Sequence, residues 1–200
     1  FEGGRELELD AVSEVPRYYV CNAYGVCGIY SAPGTAVKEA YDTSGIVTND
    51  RGVTVWLKGN RVSRNQIMAI KEESVTEQKN SLAVCLDNIL RHAGITRNTE
   101  YDLAQGKTAT TILSENMTGV QVLDLSGCTL DAVLYYVNQD IPVLAILEDG
   151  EAVLVTGFNE FNVVIMEPAT GKLYKKGMND ATAWFAENGN HFITYMRIEN

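Results

Sequence analysis

Residues 141–168, IPVLAILEDGEAVLVTGFNEFNVVIMEP, constrain the fold more than any other stretch of the chain. Three apolar runs, 143–147, 152–158 and 163–166, are separated by Asp149-Gly150 and by residues 159–162. Runs this short, rich in Val, Ile and Leu and cut by Asp-Gly and Asn, predict adjacent antiparallel strands. Val153 and Val155 fall on one face of the middle strand and Leu154 on the other, so both faces of the sheet need apolar cover. Helices elsewhere in the chain must supply it. Glu151 opens the middle strand, either as a solvated strand end or as part of a site.

Two helices are strongly marked. Leu82, Cys85, Leu86, Ile89, Leu90 and Ala93 fall at helical spacing and form one apolar stripe. Asn80 or Ser81 is placed to cap that helix, and Gly94 to end it. Thr129 opens the other, with Leu130, Val133, Leu134 and Val137 on one face, Asp131 in the first turn, and Pro142 beyond its end. A third helix is expected over about 101–116, weakened by Gly106, with Thr99 and Asp102 at capping-box spacing. Short strands are expected at 121–125, 173–175 and 191–198, and a helix at 180–187.

The first sixty residues have a different character. Residues 17–31 read as a hairpin around Ala23-Tyr24-Gly25, with Gly25 supplying a positive φ at the end of the loop. That register sets Cys21 directly opposite Cys27, close enough for a disulfide. A helix over 35–41 and strands at 46–48 and 53–58 complete a β-β-α-β-β module. Trp56, Tyr18 and Tyr19 are expected to pack there rather than to hold a ligand. The domain boundaries expected are 1–60 for the module, 61–75 for a polar connection, and 76–200 for the second domain.

Composition narrows the function classes. A hydrophobic content of 46% over 200 residues allows a sizeable core. A formal charge of −10 argues against nucleic acid and anionic membrane surfaces as partners. No apolar run approaches the ~20 residues a membrane helix needs, so no membrane insertion is expected within this chain. The chain begins at Phe1 with no signal-peptide pattern and is expected to be a piece of something longer. With four cysteines, two histidines (His92 and His191), and neither Cys-x-x-Cys nor His-x-x-His, no metal or other cofactor is expected.

A cysteine nucleophile needs a base. Cys85 and His92 lie seven residues apart on one helix, a separation of ~10 Å along the axis, too far for a hydrogen-bonded pair. His191 opens a strand and faces an unspecified partner. Cys85 sits on the apolar stripe and reads as a small buried hydrophobe. Residue types and spacing alone reveal no intact catalytic set.

The order of the segments is more telling. The helix SLAVCLDNILRHAGI, a second helix DAVLYYVNQDIPVLA, then GEAVLVTGFN and MEPATG resemble papain-like cysteine peptidases of the bacterial bacteriocin-processing (double-glycine) type and their secreted relatives. The resemblance covers about residues 75–197. It implies an α+β, papain-like peptidase fold, with helices packed on an antiparallel sheet, preceded here by the β-β-α-β-β module. Members of that family carry their cysteine thirteen residues before the glycine that ends the helix, and here that position is Ser81. Their histidine opens the strand ending in Thr-Gly-Tyr. Here Thr156-Gly157-Phe158 matches and the histidine position holds Glu151. Their Asp or Asn before a proline becomes Glu167 before Pro168, and Gln78 lies near the oxyanion-hole position.

Every catalytic position therefore differs from the family pattern. A thiolate is stabilised by a helix N-terminus and an imidazolium. A serine hydroxyl does not ionise there at neutral pH, and a carboxylate supplies no positive charge. The resemblance so read implies a catalytically inactive domain that binds a peptide or protein ligand, or serves architecture, within a larger bacterial secreted or surface protein. The hairpin disulfide agrees with an oxidising, extracellular setting. Two other uses stay open: a hydrolase in which Ser81 or Cys85 is the nucleophile and Glu151 beside Glu167 acts as a weak base, and a Ca²⁺ site built from the oxygens of Ser81, Glu151 and Glu167. A bond between Cys85 and Cys128 is also left open.

Overall fold

A computed structural model describes residues 15–58 and 80–198. The chain divides into two compact units, 1–58 and 59–200. The expected connection at 61–75 and Gln78 lie outside the described residues.

The first unit is a four-stranded antiparallel sheet with one helix. Strands β1 (Tyr18–Cys21), β2 (Cys27–Tyr30), β3 (Ile46–Asn49) and β4 (Thr54–Leu57) run in the order β2-β1-β3-β4, and α1 (Pro33–Thr43) lies between β2 and β3 in sequence. Pro33 starts α1 where its missing N–H costs nothing. Ala36, Val37 and Ala40 of α1 are fully buried with Tyr18, Val20, Val47 and Trp56 of the sheet. The register places Cys21 opposite Cys27 and the two are bonded, with Cα atoms 4.1 Å apart. Inside the loop, the Asn22 side chain accepts from the N–H groups of Tyr24 and Val26, and Gly25 takes φ +78°. Gly45 has no room for a side chain, since a Cβ there would lie 2.8 Å from the carbonyl oxygen of Cys21.

The second unit is built on a six-stranded sheet of order β5-β10-β6-β7-β8-β9, in which every neighbouring pair is antiparallel. Its strands are β5 (Val120–Asp124), β6 (Val143–Ile146), β7 (Ala152–Phe158), β8 (Asn162–Glu167), β9 (Lys172–Gly177) and β10 (His191–Arg197). The helices are α2 (Ser81–His92), α3 (Glu100–Ala104), α4 (Ala109–Asn116), α5 (Leu130–Val137) and α6 (Met178–Glu187). The three runs of the opening stretch are thus β6, β7 and β8, joined as a meander. All seven residues of β7 are buried. α2 with α4, and α5 with α6, form the covering layers that the apolar character of β7 on both faces demands.

Two sequence expectations change. The helix expected over 101–116 is two helices, because Gly106 adopts φ +86° and ends the first of them. Thr99 does not cap α3. It takes helical backbone angles, and its hydroxyl bonds the Ala83 carbonyl (3.1 Å) and the Asp87 carboxylate (2.7 Å) instead. Asp87 also accepts from the Thr99 N–H at 2.8 Å, so this acidic residue is buried on α2. The stripe on α2 is correspondingly broader than its sequence suggests: residues 83–90 are all buried, Leu82 is half-buried and Ala93 is exposed.

Candidate functional site

Asn80 caps α2, accepting from the N–H groups of Leu82 (2.9 Å) and Ala83 (3.4 Å). Ser81 is thereby released from capping, and its Oγ accepts instead from the N–H of Ala152 at 2.9 Å. The sheet explains why that N–H is available. The β7–β8 ladder reaches Leu154 opposite Met166. Two residues further along, the same register sets Ala152 against Pro168, where the chain has already left the sheet in a turn. Ser81 supplies the acceptor that the ladder lacks.

This contact fastens the first turn of α2 to the start of β7, and so brings Ser81 beside the backbone of Glu151. The Glu151 N–H is held by the Asp149 side chain at 2.9 Å, and its carbonyl accepts from Leu147 across the β6–β7 turn at 2.7 Å. Its side chain is exposed, yet its charge is felt one turn along α2. There the Cys85 thiol is completely buried. Burial pushes its pKa far above the ordinary thiol value, and the Glu151 carboxylate pushes it further in the same direction. Cys85 is a thiol, not a thiolate, at neutral pH.

Glu167 ends β8 and is exposed. Its described contacts lie in the β8–β9 turn: its carboxylate accepts from the Thr170 hydroxyl at 3.4 Å, it pairs with Lys172 in register, and its charge adds to the burial that raises the pKa of Tyr174. Among the described residues, no carboxylate accepts a hydrogen bond from the Ser81 hydroxyl. No group of three His, Cys, Asp or Glu side chains is placed to hold a metal ion among them either.

Neither histidine serves Cys85 or Ser81. His92 lies at the far end of α2, with Nε2 3.0 Å from the Asp140 carbonyl oxygen and 3.5 Å from its carboxylate. His191 pairs with Ile146, which pairs with Ala152, so it lies on the same sheet face two strands away from β7, ~10 Å by strand spacing. Its carboxylate neighbour is Asp124, at 4.0 Å. Cys85 and Cys128 are both buried and neither is in a disulfide, so no bridge joins them.

Periodicity missed two features of this unit. The Asp87–Thr99 contact joins residues twelve apart through a carboxylate that the helical pattern assigns to solvent. The other is a cleft at the opposite end of α2, with a volume of about 600 Å³, lined by His92, Ile95, Met117, Val120, Tyr195 and Arg197 among others. Tyr195 and Arg197 are two apart on β10 and share a face, a signal present in the alternation of the last strand.

No protein-family model and no curated protein sequence matches the chain. A solved structure does: that of a Bacillus anthracis protein assigned as a C39-like peptidase, with a TM-score of 0.55 at 12% identity. The match spans 68% of this chain and 100% of that one. At this identity the likeness establishes the fold, a C39-like, papain-like peptidase architecture.

Proposed function

We propose that residues 76–200 form a papain-like peptidase-type domain that binds a peptide or protein ligand without cleaving it, carried with the module of residues 1–60 inside a larger bacterial secreted or surface protein. The observation that carries this reading is the Ser81–Ala152 hydrogen bond. At the head of the helix where the fold would present a thiolate there is a hydroxyl, and it is engaged with the main chain of the neighbouring strand. Glu151 and Glu167 stand where an imidazole and its orienting group would be needed, and a carboxylate pair cannot supply the cation of a thiolate–imidazolium couple. The disulfide of the first unit supports an extracellular setting. No helix among the described residues is long and apolar enough to cross a membrane.

The reading is tested with the intact chain and a fluorogenic peptide library at neutral pH. Peptides retained by the immobilised chain, with no cleavage, and retention unchanged in Ser81→Ala, are the expected result. Turnover that disappears in Ser81→Ala, or after treatment with a thiol reagent, would establish instead a hydrolase using Ser81 or Cys85.

A further inference from the structure

The cleft at the C-terminal end of α2 carries two groups whose hydrogen-bonding capacity is unspent. The Tyr195 hydroxyl is buried and has no hydrogen-bond partner among the described residues. A buried hydroxyl left unpaired is uncommon, because it gives up hydration for nothing. Arg197 is exposed, and among the described residues it makes no ion pair, although acidic residues outnumber basic ones by 26 to 16 in this chain. The two side chains project from the same face of β10 and feel each other electrostatically, and Tyr195 also feels the Asp140 carboxylate, whose charge Arg197 opposes. Both are donors with no acceptor among the described residues.

Ile95, Met117 and Val120 supply the larger apolar side chains of the lining, beside the polar His92 and Thr118. The helix end facing the cleft makes little demand on a ligand. Its last carbonyls are taken by the N–H groups of Gly94 and Ile95, and the nearby Asp140 carboxylate lies 3.5 Å from His92. A volume of about 600 Å³ falls within the range of small-molecule sites.

We infer that this cleft binds a monocarboxylate with an apolar body, its carboxylate held by Arg197 and the Tyr195 hydroxyl and its body against Met117, Ile95 and Val120. Guanidinium and phenol are both pure donors toward a carboxylate, and the fork of the guanidinium matches its two oxygens. Such a ligand arises either as the C-terminal residue of a peptide or as a free organic acid. The site is separate from the Ser81 end of α2, so it stands whether or not that end is catalytic.

The test is a titration of the full chain, labelled in its methionine methyl groups, with N-acetyl-leucine, octanoate and N-acetyl-leucinamide. A saturable shift of the Met117 methyl signal, with a dissociation constant of about 1 mM or tighter, is expected for at least one of the two acids and not for the amide. Response to N-acetyl-leucine alone assigns the site to peptide C termini, to octanoate alone to free acids, and to both to the carboxylate irrespective of source. Arg197→Gln is expected to weaken binding by about tenfold or more, the scale of a charge-assisted pair. Tyr195→Phe, which deletes only an unpaired hydroxyl and keeps the ring, is expected to weaken it several-fold, while Ser81→Ala leaves it unchanged. No shift with either acid, equal binding of the amide, or undiminished binding by Arg197→Gln would overturn the inference.

Discussion

Replacing Ser81 by Ala tests the contact on which the candidate site is built. The Ala152 N–H loses its acceptor, and Ala152 is only 1% exposed. An unsatisfied buried donor costs about 1–3 kcal/mol. Ser81 is half-buried, so water partly replaces the lost oxygen and the lower end of that range applies. Capping is unaffected because Asn80 performs it. Alanine's better helix propensity returns roughly 0.5 kcal/mol, for a net loss of about 0.5 kcal/mol. With a urea slope of about 2 kcal/mol/M, the unfolding midpoint of the second unit should fall by about 0.25 M. The Ala152 amide should exchange with solvent markedly faster than those of Val153 and Leu154. Ser81→Thr keeps the oxygen and should restore most of both. An unchanged midpoint together with a still-protected Ala152 amide would refute the view that this hydroxyl is committed to the backbone.

Other consequences can be checked independently. Asp87→Ala strips the acceptor from the Thr99 N–H and leaves its hydroxyl only the Ala83 carbonyl, and should destabilise the second unit by about 2 kcal/mol, read as a lowered midpoint in the same denaturation experiment. Alkylation in denaturant without reductant should modify two cysteines, Cys85 and Cys128, and all four only after reduction. Replacing Cys21 and Cys27 by Ser should cost the first unit about 2 kcal/mol, measured by its own thermal transition, as expected for closing a short loop. Stability should also fall in alkali. The folded thiol of Cys85 titrates far above its ordinary value of 9.0, so its contribution is complete below pH 9 and is lost as pH rises, because the unfolded thiol ionises first. The loss should approach ~1.4 kcal/mol per pH unit. Tyr135, Tyr174 and Tyr195 are shifted upward by burial too and add to it at higher pH. Cys85→Ala should flatten the profile between pH 9 and about 10.

Much of this architecture was legible because it rests on short-range pattern. Asp149-Gly150 and Asn159 marked the turns of the β6–β8 meander, and Gly25 set the hairpin register that opposes Cys21 and Cys27. The spacing back from Gly94 led to Ser81, which does lie against the strand that Glu151 precedes. What escaped the sequence depends on contacts that no local period encodes. The hydroxyl of Ser81 bonds a main-chain N–H seventy-one residues away, and that donor is free only because β8 gives way to a turn at Pro168. Gly106 looked like a weak point in one helix and is a terminus, since its left-handed backbone cannot continue a helical turn. Asp87 counts as polar in any amphipathic pattern, yet the twin donation from Thr99 makes its burial tolerable.

The distribution of sulfur in this molecule sets how it fails. One unit holds a closed bridge at a hairpin tip, while the other keeps two reduced cysteines sealed inside. While the second unit stays folded, its thiols cannot reach an oxidised partner, whatever the pH outside. Once it opens, Cys85 regains ordinary acidity, and both thiols are exposed as nucleophiles able to attack the Cys21–Cys27 bond, in the same chain or in a neighbouring one. Cooling after brief heating at pH 5 should therefore return the native protein. The same cycle at pH 9 should leave mispaired and cross-linked chains, so this fold's reversibility is governed by acidity rather than by temperature alone.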